Sequence, residues 1–163
     1  MRMFGEQHAA NYLERTRASF LAAGAHDLDA VMDIFCPASV WDLTRWGLGR
    51  HTGPAAIRRF LQDWVGVMDE YMVDLEELRD LGDGVVFAVG VQRSRPAGSR
   101  TRLYLRYAPV FVWVDGAISQ VTYYRDIDEG RADAEAAACA RRPVAAHPED
   151  AHADRAGAAL PGL

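Results

Sequence analysis

Two carboxylates stand out as candidates for proton transfer. Asp42 sits in a strand-like run flanked by Trp41, Leu43 and Trp46, and Asp126 closes another such run at Tyr124-Arg125-Asp126. An apolar setting disfavours the charged form of a carboxylate and lifts its pKa toward the range a general acid or base needs. The plainer alternative is that each only caps a strand end or pairs with an arginine, because a bare buried carboxylate is costly. Arg106 and Tyr104 share one face of the alternating run Arg102 to Ala108. If Ala108 faces a cavity, so do they. An arginine there would hold one acid ionised, and a phenol could orient a carbonyl or hydroxyl. Asp42, Asp126, Arg106 and Tyr104 are therefore the candidate catalytic set.

His51 could exchange protons near neutral pH, although beside a helix start it more simply satisfies backbone groups. Trp41, Trp46, Trp64 and Tyr124 read as core or as pocket wall, on which a ring-shaped ligand would pack well. His8, His26, His147 and His152 lie scattered in terminal or loop segments, and Cys36 and Cys139 stand alone. None has metal-ligand spacing. No glycine-rich phosphate loop, nucleophile elbow or Cys-His pair occurs. Neither a metal nor a cofactor is expected.

Composition narrows the partners. The 163 residues are 50% hydrophobic, enough for one domain with a sizeable core. A net charge of −5 and the lack of a basic cluster argue against nucleic acid, and all 18 basic residues are arginine. No run approaches the ~18–20 apolar residues that span a bilayer. Lone cysteines and no apolar leader give a cytoplasmic expectation with reduced thiols.

The elements that must position these residues follow from periodicity. Apolar positions Tyr12, Leu13, Phe20 and Leu21 predict a helix over Gln7–Ala23, ended by Gly24. Asp27 can cap a short helix through Phe35, with Pro37 as its stop. Ser39–Trp46 reads as a strand, and Gly53-Pro54 opens a helix carrying Ile57, Phe60, Leu61 and Trp64. The period then becomes two. Strands are expected at about Tyr71–Asp80, Val85–Arg95, Thr101–Val114 and Ala117–Ile127. Their turns fall at Gly82-Asp83-Gly84, Pro96-Ala97-Gly98 and Asp115-Gly116, and the Asp-Gly pair is the strong hairpin signal. Residues 128–140 suggest a closing helix. The stretch from Arg141 is rich in alanine and proline and is expected to be a disordered tail. Helices followed by a strand meander give an α+β class, residues 1–140 forming the domain.

The order of elements, Ala38-Ser39-Val40-Trp41-Asp42, His51-Thr52-Gly53 before Ala56–Phe60, and the Tyr124-Arg125-Asp126 ending together resemble the SnoaL-like branch of the nuclear transport factor 2-like superfamily. This resemblance covers roughly residues 10–130. It implies a cone, a curved sheet wrapped around long helices, with a small-molecule pocket between them. Polyketide cyclases, ketosteroid isomerases and limonene epoxide hydrolases share that fold. Asp42 resembles the isomerases' general base, but Ala18 and Ala108 stand where their two oxyanion donors belong. Asp126 resembles an acid/base aspartate of the cyclases and hydrolases. Ala88 and Gly90 replace the remaining hydrolase pair, which makes Ala88 a pocket-wall candidate.

Two functions stay open. One is a cofactor-free acid/base enzyme acting on a hydrophobic, polyketide-like or polycyclic molecule. The other is a non-catalytic ligand-binding or dimerisation module. The row Leu105, Tyr107, Phe111 and Trp113, taken as the outer face of the sheet, is too apolar to leave bare and predicts a homodimer.

Overall fold

The structure is a computed structural model that describes residues 2–144, with the backbone alone for residues 2–10. Helix α1 spans Arg2–Gly24 and α2 spans Leu28–Met32, with Asp27 capping the latter by accepting from the Ala30 amide. Strand β1 (Phe35–Asp42) follows at once, so the expected helix through Phe35 is shorter by a turn. Pro37 lies inside β1, where the pairing with β6 shifts register between Phe35 and Val40. A bulge of this kind is where a residue without an N–H fits a strand. A single 3-10 turn (Thr44–Trp46) and a three-residue strand β2 (Arg50–Thr52), not anticipated from periodicity, fold back on β1. Helix α3 (Pro54–Gly66) begins at the expected proline. Then come β3 (Met68–Gly82), β4 (Val85–Pro96), β5 (Leu103–Val114), β6 (Ala117–Tyr124) and α4 (Ile127–Arg141).

The six strands form one sheet in the order β2-β1-β6-β5-β4-β3. All neighbours are antiparallel except β1 and β6. Asp115 and Gly116 both hold positive φ, 50° and 83°, as a two-residue hairpin turn requires.

The sheet is covered on both faces, and this assigns its side chains. Val86, Ala88, Phe111, Trp113, Ile118 and Val121 pack with Phe20 and Ile57 on the inner side. Val85, Phe87, Val89, Ala108, Val110 and Tyr124 pack on the outer side against Ala134 and Ala138 of α4. The uninterrupted apolar run Val85–Val89 reflects this two-sided burial. Helix α4 seats closely: a Cβ on Gly130 would lie 2.9 Å from the Ala108 Cβ.

Two expectations are corrected here. Ala108 faces α4 and not a cavity, so the whole β5 alternation is inverted. Leu105, Tyr107, Phe111 and Trp113 point inward, Trp113 being 1% exposed. They offer no outer surface for a second copy. Secondly, the chain does not loosen at Arg141, whose guanidinium donates to the carbonyls of Asp83 (2.8 Å) and Trp113 (3.3 Å). The remainder of the expected tail, from residue 145, lies outside the described residues.

Candidate active site

Helices α1, α2 and α3 and the inner face of the sheet enclose a cavity of about 160 Å³. Its walls are mostly rings. Helix α3 presents Phe60 and Trp64 one turn apart, stacked at 6.2 Å. Trp41 on β1 meets Phe60 edge-on at 5.8 Å and lies against Tyr123 of β6 at 5.3 Å. Tyr123 in turn stacks on Tyr107 of β5 at 5.5 Å. Trp46 completes the wall from the 3-10 turn. No aspartate, glutamate or arginine lines this cavity among the described residues.

Its polar groups are few and neutral. Burial pushes the phenol of Tyr71 up to about 12. Burial, reinforced by the neighbouring phenols, drives those of Tyr107 and Tyr123 well above the ordinary tyrosine value. All three therefore remain neutral O–H groups. Gln92, 5% exposed, accepts from the Trp64 indole at 3.2 Å and donates to Ser94 Oγ at 3.0 Å. Gly90 on β4 makes room for Tyr107, because a Cβ there would come within 2.8 Å of the ring's Cζ. The indole N–H groups of Trp41 and Trp46 are buried without an acceptor.

His26 sits at the mouth. It closes α1 in a Schellman-type turn, with the Asp27 amide reaching the Ala22 carbonyl at 2.9 Å and φ at +60°. Glycine favours that conformation, and a histidine there is uncommon. Its Nε2 lies 2.7 Å from the Tyr71 carbonyl. A carbonyl can only accept, so Nε2 carries a proton, and in the neutral tautomer the lone pair is then on Nδ1.

The expected catalytic set does not assemble at this cavity. Asp42 is 3% exposed, but its Oδ1 accepts from the Thr44 amide (2.9 Å) and hydroxyl (2.6 Å), and its Oδ2 pairs with Arg50 at 3.0 Å. Burial raises its pKa, yet Thr44 and Arg50 outweigh that and hold the carboxyl below its usual value. Asp126 caps α4 by accepting from the amides of Asp128 and Glu129. Arg106 pairs with Glu76 at 2.7 Å on the outer face, and Tyr104 is 61% exposed. Among the pocket-wall candidates, Trp41, Trp46 and Trp64 line the cavity. The other three do not: His51 is held by the Leu48 carbonyl at 3.0 Å, Ala88 is core, and Tyr124 lies on the outer side beneath Arg45. The cavity is instead lined by Tyr71, Tyr107, Tyr123, Gln92 and His26, which the sequence does not single out. For Tyr107 and Tyr123 the signal was their shared parity with Phe111 and Val121, which only needed the opposite face.

The SnoaL-like domain family matches residues 16–121. The chain belongs to this family. Similar solved structures agree on the fold. An NTF2-like protein of unknown function from Burkholderia pseudomallei K96243 superposes with a TM-score of 0.62 at 20% identity, covering 73% of this chain and 93% of that one. A proposed SnoaL-like polyketide cyclase from Shewanella denitrificans OS-217 gives 0.61 at 13% identity, covering 77% and 97%. An LEH-like epoxide hydrolase from M. tuberculosis gives 0.59 at 17%, covering 80% and 93%. None of the curated proteins matches this sequence. At such identities the likeness is one of fold, and this SnoaL-like domain's chemistry has to be argued from its own cavity.

Proposed function

We propose that this SnoaL-like domain binds a small, uncharged, ring-bearing molecule inside the cone, without a cofactor. The observation that carries the reading is the cavity wall itself: stacked aromatic rings, neutral phenols and no charged side chain among the described residues. A carboxylate or phosphate ligand would lose its hydration there with no counter-charge, whereas an aromatic ring exchanges water for ring faces. The size argues for one or two fused rings, since a cavity of about 150 Å³ holds benzene. A larger polycycle would have to extend through the mouth.

A catalytic reading draws on His26, the one imidazole lining the cavity among the described residues, whose Nδ1 in the neutral tautomer would take a proton from a bound ligand. Acid/base turnover of the cyclase, isomerase, dehydratase or hydrolase type would then run through His26. Asp42 and Asp126 are left as structural caps.

Binding is tested by titrating ¹⁵N-labelled protein with naphthalene, indane and benzoate. The indole N–H signals of Trp41, Trp46 and Trp64 should move with the two hydrocarbons and stay fixed with benzoate. Absence of any shift at the solubility limit of both hydrocarbons would remove the reading. For catalysis, His26→Gln should abolish any turnover found, while Asp126→Asn should leave it intact.

A further inference from the structure

The polar side chains that the sheet presents to the cavity, Tyr71, Gln92, Tyr107 and Tyr123, can each donate a hydrogen bond. Tyr107 is 8% exposed, and its hydroxyl has no hydrogen-bond partner among the described residues; the same holds for the hydroxyls of Tyr71 and Tyr123. All three come from strands of the inner face, β3, β5 and β6, and Tyr107 and Tyr123 stack on one another. Gln92 adds to the same side. Its carbonyl accepts from Trp64, and one of its two N–H groups donates to Ser94. Gln92 keeps one N–H to donate and one lone pair on its carbonyl. These groups line the cavity without a protein partner, so a ligand that accepts hydrogen bonds would satisfy them; the indole N–H groups of Trp41 and Trp46 on the same wall are fully buried without an acceptor, at a cost on the order of 1–3 kcal/mol each.

We propose that Tyr71, Tyr107, Tyr123 and the free N–H of Gln92 form a donor subsite that selects a one- or two-ring aromatic ligand carrying a carbonyl oxygen. This rests on the binding reading above and specifies its ligand. A carbonyl offers two lone pairs and no proton, which suits a donor-rich wall. Its neutrality suits a cavity with no arginine on its wall among the described residues. Gly90 belongs to the same device, because only a residue without a Cβ lets the Tyr107 ring fold over β4 into the group. The phenols stay protonated through the physiological range, so the subsite works as donors throughout.

The test compares indan-1-one with indane by calorimetry and by shifts of the tryptophan indole signals. A purely apolar cavity favours the hydrocarbon by about tenfold or more, because the ketone gives up its hydration on entry. The subsite predicts that indan-1-one binds at least as tightly as indane. It further predicts that Tyr107→Phe, Tyr123→Phe or Gln92→Leu weakens indan-1-one by about tenfold while moving indane less than twofold. Indane binding tenfold or more tighter than the ketone to the wild type overturns the proposal. So does an unchanged ketone-to-hydrocarbon ratio in every variant that folds. Failure of both ligands to bind sinks the underlying reading instead, so the two failures are distinguishable. The wild-type ratio decides the matter even if one substitution disturbs folding.

Discussion

Asp42 and Arg50 stand directly opposite one another in the β1–β2 ladder, and their side chains close an ion pair at 3.0 Å. With Thr44 on the other carboxylate oxygen, this fastens the 3-10 turn and the short β2 hairpin to the edge of the sheet. The pair is thus an architectural clamp beside the cavity. Asp42→Ala removes the acceptor for three donors at once. A loss of about 3 kcal/mol is expected, since hydrogen bonds to charged groups contribute roughly 1.5–3 kcal/mol each and the Arg50 end is solvent-screened. Urea denaturation measures the loss. Indane affinity should change less than twofold, and a tenfold loss would return Asp42 to the binding site.

The same clamp predicts the acid side of the stability curve. The folded carboxyl titrates below its ordinary value of 3.8, because Thr44 and Arg50 outweigh the upward push of burial. A depressed carboxyl contributes stability that is complete above the unfolded value and fades as pH falls toward the folded one. The gap in melting temperature between wild type and Asp42→Asn should therefore be constant from pH 7 to about 5. It should narrow below 3.8. Glu77 behaves alike, lowered chiefly by its hydrogen bonds from Arg131, and acts from its ordinary 4.5 downward. A gap that widens in acid would contradict this account.

Gly90→Ala tests the close approach at the cavity floor. The new methyl would lie 2.8 Å from Tyr107 Cζ, 2.9 Å from its hydroxyl and 3.0 Å from Phe20 Cε1. Overpacking costs about 1–3 kcal/mol, and the reduced freedom of the unfolded chain returns less than about 1. A net loss near 1–2 kcal/mol is expected by denaturant titration, against the gain that alanine normally brings in a strand. Pairing it with Tyr107→Leu should recover most of the loss, and strictly additive effects would show that the two residues do not meet.

The sequence made most of the fold legible and much less of the site, for a physical reason. The β-branched and aromatic runs of Val85–Arg95 and Leu103–Val114 announce strands whichever face is buried, and Asp115-Gly116 fixes a turn by backbone chemistry alone. Which parity faces inward depends on what covers the other side. Here that is α4, an alanine-rich helix whose contact with the sheet is made by small residues, Gly130, Ala134 and Ala138. It carries little apolar patterning for a sequence reading to detect. Without the cover that α4 provides, parity alone puts the large side chains of β5 outward and Tyr104 and Arg106 in a cavity that they do not reach. Asp42 misled differently. Its apolar neighbours on the strand point the other way, and its partners Thr44 and Arg50 come from a 3-10 turn and a three-residue strand too short to show a period.

That inversion has its own test at Trp113. As an outer-face residue at a dimer interface, Trp113→Glu would yield a folded monomer. The structure gives the opposite expectation. Trp113 stacks on Tyr12 at 4.8 Å and donates its indole N–H to Thr16 Oγ1 at 3.2 Å, while the Tyr12 hydroxyl accepts from the Gly116 amide at 3.1 Å. These contacts bind α1 to the β5–β6 hairpin. A glutamate there would delete a large core ring, at a cost of about 3–5 kcal/mol, and would desolvate a carboxylate at a site 1% exposed; the Arg15 guanidinium, 4.7 Å over the ring, offsets only part of this, and the loss approaches the total stability of many domains of this size. Trp113→Glu should therefore fail to fold, giving collapsed amide dispersion in the ¹⁵N spectrum and no cooperative thermal transition. Trp113→Phe should fold with a loss of about 2 kcal/mol, because the ring stack survives and only the indole's outer ring and its bond to Thr16 are removed. A well-dispersed, cooperatively melting Trp113→Glu protein would place this residue on the surface after all.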